Sequence, residues 1–216
     1  MKILGKHLLV AAGLSMTASV AGATIVGGAI TGGNVLGSGT FVKLDPSTGF
    51  TIGNDNFEDD NLYAFDEDQN ITITGAIAVD IGASPVAGDV VASHYIGFDP
   101  ASANPARTQV GYIDFDADIF GIATSTATLA ASDFLANTAV TYLNPAQRGL
   151  EPWQDTVWID LLDPRRLWVD WLATTPGDYV RVFTKHSPLA PVPLPATGLL
   201  LLGAIGGLGL KRRKKH

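Results

Sequence analysis

Between residues 24 and 190 the apolar positions recur with period two in short runs. Ile71, Ile73, Ile77 and Val79 fall on one side of an extended chain, with Thr72, Thr74, Ala76 and Ala78 on the other. Val90, Ala92, Ile96 and Phe98 make a second such face, and Ile113, Phe115, Ala117 and Ile119 a third. Further along, Thr156 and Trp158 alternate with Val157 and Ile159, and segments 166–172 and 178–184 continue the pattern. Successive side chains of a strand point to opposite faces, so this period predicts strands buried on one side. Turn signals separate the runs: Asp45-Pro46, Asp99-Pro100, Asn104-Pro105, Asn144-Pro145, Asp163-Pro164 and Pro176-Gly177. Short strands at this spacing predict an all-β body over residues 24–186, an antiparallel β-sandwich or jelly roll, long enough for one substantial core. One short helix is predicted within it, over 129–136, with Ser132 or Asp133 as its cap.

The pattern changes at both ends. Lys2 and Lys6 precede an apolar run from Leu8 to Val20, and Ala21-Gly22-Ala23 follows it. A positive start, a short apolar helix and small residues at the cleavage position define a secretory signal over residues 1–23, cut between Ala23 and Thr24. That reading supplies the first partners, the Sec translocon and signal peptidase. At the other end, Pro188, Pro191, Pro193 and Pro195 make an extended stretch that suits neither helix nor central strand, and 187–191 is a linker. Residues 198–210 are all Gly, Leu, Ala or Ile, and Lys211, Arg212, Arg213, Lys214 and Lys215 follow at once. As a helix that run spans about 20 Å, short of the ~30 Å hydrocarbon core. It predicts a short C-terminal helix that holds the chain in the inner membrane transiently, its basic end kept cytoplasmic.

Val192, Pro193, Leu194, Pro195 and Ala196, then Thr197-Gly198, the apolar run and the basic end, resemble the VPLPA variant of the PEP-CTERM sorting signal. The resemblance covers residues 192–216 only. It implies export in a Gram-negative bacterium and recognition by an exosortase, a membrane-embedded cysteine transpeptidase-like enzyme that cleaves near the motif. It further implies a place at the cell surface or in a biofilm matrix rich in extracellular polysaccharide. Leu194 to Gly198 also satisfies the LPxTG pattern of Gram-positive sortase substrates. The short apolar run directly after the motif and the Lys-poor body favour the exosortase.

Charge sharpens the picture. The full chain carries −7, but all 21 acidic residues lie between Asp45 and Asp178, while seven of the 14 basic residues sit in the two ends. The body alone is therefore −14, which argues against nucleic acid as a partner, because phosphate contacts need clustered Lys and Arg. The absence of cysteine excludes disulfide scaffolds, thiol catalysis and Cys-based zinc sites.

The acidic residues form three groups along the chain: Asp55, Glu58, Asp59 and Asp60; Asp66, Glu67 and Asp68; and Asp114, Asp116 and Asp118. Calcium takes several hard oxygens, which makes Asp114, Asp116 and Asp118 a candidate Ca2+ site and calcium the one cofactor suggested. On a strand their carboxylates would stand about 6–7 Å apart on one face, and for all three groups a solvated acidic surface is the simpler expectation. Trp153, Trp158, Trp168 and Trp171 fall within 19 residues. Exposed aromatic faces stack on sugar rings, making these four the candidate glycan-binding residues; core filling is the competing role. Glu58, Glu67 and Glu151 leave room for a glycosidase-type carboxylate pair, but no nucleophile elbow, H-E-x-x-H or P-loop occurs. His94 shares a predicted face with Val90, Ile96 and Phe98, as expected of a hydrogen-bonded interior histidine. The Arg148–Glu151 and Asp178–Arg181 spacings suggest local charge pairs. Together these features predict an exported, non-enzymatic envelope or matrix protein, with a carbohydrate- or calcium-binding module as the alternative and a glycan hydrolase behind it.

Overall fold

The computed structural model describes residues 25–54, 56–101, 106–174 and 176–186. The signal helix with Ala21, Ala23 and Thr24, the linker, the motif at 192–196, the apolar run and the basic residues 211–215 lie outside the described residues. Among the described residues no helix is long and apolar enough to cross a membrane.

Strands dominate. In chain order they are β1 (Ile25–Gly32), β2 (Phe41–Lys43), β3 (Phe50–Ile52), β4 (Leu62–Asp66) and β5 (Ile71–Thr72). Then come β6 (Ile81–Gly82), β7 (Val90–Phe98), β8 (Arg107–Phe115) and β9 (Ile119–Ala123). The helix α1 (Thr126–Ala131) leads into β10 (Val140–Tyr142), β11 (Thr156–Ile159), β12 (Arg166–Ala173) and β13 (Asp178–Lys185).

Two large sheets carry most of them. A four-stranded antiparallel sheet has the order β1-β8-β12-β11. A seven-stranded sheet runs β2-β4-β7-β13-β9-β6, with β5 also on β7, and is antiparallel except where β2 meets β4. β3 and β10 form a small parallel pair. One core cluster joins Ile113, Phe115, Leu167, Val169 and Trp171 of the four-stranded sheet to Leu62, Ile96, Phe98, Val180 and Val182 of the larger one. A second cluster covers the larger sheet's opposite face, where Phe65, Tyr95, Tyr179 and Phe183 meet Leu129, Leu135, Ile52 and Val140. The seven-stranded sheet is therefore buried on both faces and the four-stranded sheet on one.

That difference explains which patterns survive in the sequence. β12 keeps a clean alternation, with Leu167, Val169, Trp171 and Ala173 buried and the residues between them partly or fully exposed. β7 and β13 are buried almost throughout, so their inward polar residues need interior partners. The 71–79 stretch has the expected burial, Ile73 and Ile77 inward and Ala76 and Ala78 exposed, yet only Ile71–Thr72 is strand. Beyond it the chain is held by isolated bonds such as Ile77 N–H to the Pro85 carbonyl, 3.0 Å. β1 is rich in glycine because it runs against bulky neighbours: a Cβ on Gly28 would stand 2.6 Å from the Phe41 ring.

Three expectations are corrected. The helix lies earlier than 129–136: Ser125 caps α1 through a reciprocal box with Thr128, and Ser132 and Asp133 instead open a separate 3-10 turn, Asp133–Leu135. Arg148 and Arg181 pair with Asp133 and Glu67 and not with Glu151 and Asp178. Asp66 and Glu67 are interior and do not belong to a solvated acidic face.

The two ends of the body emerge together. Ile25 opens β1 opposite Phe115, and the Lys185 N–H at the end of β13 donates to the Asp118 carbonyl at 2.8 Å.

Candidate functional site: an aromatic face and a convergent acidic group

The register of the four-stranded sheet lines up one row of residues. Trp158 of β11 stands opposite Trp168 of β12, Trp168 opposite Tyr112 of β8, and Tyr112 opposite Ala29 of β1. Their neighbours Val157, Leu167 and Ile113 are buried, so the row itself faces outward. The two indoles are stacked, with centroids 6.0 Å apart and planes 10° from parallel. Tyr112 leans on Trp168 at 5.3 Å and 59°. Trp158 is 39% exposed.

Polar groups rim this row. Asp160 Oδ2 accepts from Trp168 Nε1 at 2.8 Å and orients that ring. The Arg166 guanidinium lies 4.1 Å above the Tyr112 ring centroid, a cation–π contact. A two-point bond to Asp114 holds it there, Nε to Oδ1 at 2.6 Å and Nη2 to Oδ2 at 2.9 Å. On the β1 side the space where Gly27 would carry a Cβ is open. The result is an outward aromatic row, two stacked indoles and a tilted phenol, with hydrogen-bonding groups at its edges.

The four candidate tryptophans thus divide. Trp158 and Trp168 share the row, Trp153 is 80% exposed on the loop before β11, and Trp171 is a core residue at 1% exposure. Parity within β12 carries this information, since Trp171 shares its face with Leu167 and Val169. Tyr112 and Arg166 were missed because nothing local links them to the tryptophans.

The candidate calcium ligands do not converge. β8 ends at Phe115, just before Asp116. Asp114 is engaged by Arg166, and Asp118 by Lys185 at 2.7 Å. Among the described residues, the carboxylates whose oxygens do converge, within 4.8 Å of one another, are those of Glu151, Asp155 and Asp178. Burial pushes the Asp155 and Asp178 carboxyls well above the usual range; for Asp178 the charges of Asp155 and Glu151 add to it.

A third arrangement is chemically suggestive. His94 Nδ1 lies 2.8 Å from Asp66 Oδ1 and Nε2 lies 3.0 Å from Thr184 Oγ1, the connectivity of an acid–base–hydroxyl relay. His94 and Thr184 are both fully buried, and the imidazole packs on Phe115 at 4.8 Å. No reacting group can meet a hydroxyl enclosed this way, so the relay cross-links β4, β7 and β13 inside the core. On the sheet's other face Arg181 bonds Glu67 through Nε at 2.6 Å and Nη2 at 2.8 Å. Glu67 also accepts from Ser93 and Tyr142, each at 2.6 Å.

No protein-family model, curated protein or solved structure matches the chain.

Proposed function

We propose that the chain is an exported, surface-sorted, non-enzymatic protein of a Gram-negative bacterium whose β-sandwich body binds extracellular polysaccharide on the Trp158–Trp168–Tyr112 face. The observation that carries the binding role is the outward row of stacked rings, because a sugar presents an apolar C–H face to such rings and hydroxyls to its edges. Asp160, Asp114 and Arg166 supply donors and acceptors at the rim. The body's charge of −14 favours a neutral polymer over an anionic one. Two packed sheets with a shared interior support the sandwich reading. The buried relay at His94 supports a structural and not a hydrolytic interior. Export and sorting rest on the signal at residues 1–23 and the VPLPA-type tail at 192–196, with the basic residues 211–215 as its stop.

Affinity electrophoresis of the full chain in gels containing neutral polysaccharides tests the binding role. Retardation is expected, and Trp158→Ala and Trp168→Ala should each weaken it by about tenfold. No retardation by any neutral glucan, mannan or galactan would discard the polysaccharide reading. Intact-mass measurement on native fractions tests the targeting, with cleavage expected between Ala23 and Thr24 and near Ala196.

A further inference from the structure

The geometry points to a calcium site at Glu151, Asp155 and Asp178, apart from the aromatic row. Ca2+ binds oxygens at ~2.3–2.6 Å, so oxygens sharing one ion stand no more than about 5 Å apart. The three carboxylates meet that condition, with oxygens within 4.8 Å of one another. Acidic residues gather on many surfaces without an ion, but two further observations separate this group from a solvated patch.

The first is Asp178 itself. Its residue exposure is 3%, no N–H or hydroxyl group donates to its Oδ2, and the side chain it meets is another carboxyl, that of Glu151. A buried carboxylate oxygen without a donor is costly unless a cation meets it. The second is the absence of a protein counter-ion. Each of the seven Lys and Arg side chains among the described residues is ion-paired, and each pairs with a carboxylate outside this group. Three convergent acidic groups are thus left without a protein cation.

The surroundings are prepared for an ion. Asp155 is fixed by two backbone donors, Leu172 N–H to Oδ1 and Glu151 N–H to Oδ2, each at 2.9 Å. The loop between the first two ligands is closed by the Glu151 carbonyl, which accepts from Gln154 and Asp155 N–H at 2.9 Å. Gly177, at φ +86°, turns the chain into Asp178. A cavity of about 90 Å³ adjoins the group and is lined by Glu151, Gln154, Thr174 and Asp178. It has room for an ion with two or three waters, at ~30 Å³ per water. Three carboxylates, a nearby amide and water form an all-oxygen shell that suits Ca2+, whereas Mg2+ usually takes only one or two carboxylates and Zn2+ prefers His or Cys.

The test is thermal unfolding and calorimetric titration of the full chain, stripped with EGTA and then given CaCl2 or MgCl2. About 10 mM Ca2+, on the order of one hundred times the ~10⁻⁴ M Kd of extracellular modules, should raise Tm by about 5–10 °C. Mg2+ should give less than half that shift. Emission from Trp153, at the tip of the 151–155 loop, should change with the same midpoint. Glu151→Gln, at an exposed position, should weaken Ca2+ binding by about tenfold or more. Asp178→Asn should abolish the Ca2+ response while raising Tm in EGTA above that of the unsubstituted chain. Unchanged Tm with CaCl2, an equal response to Mg2+, or a full Ca2+ response in Glu151→Gln would each overturn the site; if Asp178→Asn does not fold, Glu151→Gln decides alone.

Discussion

Replacing Arg181 with methionine removes the positive centre of the buried network on the packed face of the seven-stranded sheet. Arg181 is fully buried and bonds the Glu67 carboxylate twice, the Leu129 carbonyl, Ser132 Oγ and Asp133 Oδ1. Methionine keeps the unbranched apolar stem but leaves Glu67, also fully buried at its side chain, with only Ser93 and Tyr142 as strong donors. Breaking a buried pair by removing one partner costs about 3–5 kcal/mol. For a body of this size that lowers Tm by roughly 6–20 °C. Glu67→Gln keeps two hydrogen-bonding atoms and should cost less, about 2 kcal/mol. The decisive quantity is the double substitution: with both charges gone, the loss should fall short of the sum of the single losses by at least ~2 kcal/mol. Urea unfolding followed by tryptophan emission, with m-values checked for constancy, measures all three. If the two single losses add within ~0.5 kcal/mol, Arg181 and Glu67 do not act as one energetic unit.

Three further outcomes follow from the packing. Burial pushes the Asp66 carboxyl up, but hydrogen bonds and charges from His94 and Lys43 outweigh it and bring it down to about 2. Because the folded value lies below the unfolded one, this carboxylate stabilises fully above about pH 5 and loses on the order of 2 kcal/mol as pH falls toward 2. The stability gap between the unsubstituted chain and Asp66→Asn should narrow over that range, and a constant gap would refute the assignment. Trp171→Ala should destabilise by about 3–5 kcal/mol, whereas Trp158→Ala should cost under ~1 kcal/mol; similar values in chemical denaturation would contradict the division between core and surface. Ser125→Ala removes the side-chain cap of α1 and should cost about 1 kcal/mol, with faster amide exchange confined to Thr126–Ala131.

The sequence exposed β11 and β12 of the four-stranded sheet well because one side of that sheet faces water. In β11 and β12 the parity of Val157, Leu167 and Val169 against Trp158 and Trp168 announces both the strand and its outer face. The central strands of the larger sheet, β7 and β13, were also legible as strands, but not as buried on both faces. His94, Ser93, Arg181 and Thr184 sit inside the sheet, and such polar residues read locally as one outward face. β1 was illegible for another reason: Gly27, Gly28 and Gly32 carry no side chain to alternate, and at Gly28 and Gly32 that space belongs to Phe41 and Val110. Acidic residues adjacent in sequence proved a poor guide to acidic residues adjacent in space. Glu151 and Asp155 lie four residues apart, but only the entry into β13 brings Asp178 to them. The row at Trp158, Trp168 and Tyr112 likewise needs the β11–β12–β8 register.

The exit of the chain from β13 has a mechanical meaning. β13 lies inside the seven-stranded sheet, antiparallel to β7 through eight paired positions and to β9 on its other side. Its last residue, Lys185, precedes in sequence the stretch 192–196 that we propose as a sorting motif. Inter-strand hydrogen bonds lie perpendicular to the strands, so a pull on that stretch acts along β13 and shears its bonds together, where an edge strand would be unzipped bond by bond. If the body is held at its C-terminal side and drawn outward through the proposed polysaccharide face, the load falls on this shear direction.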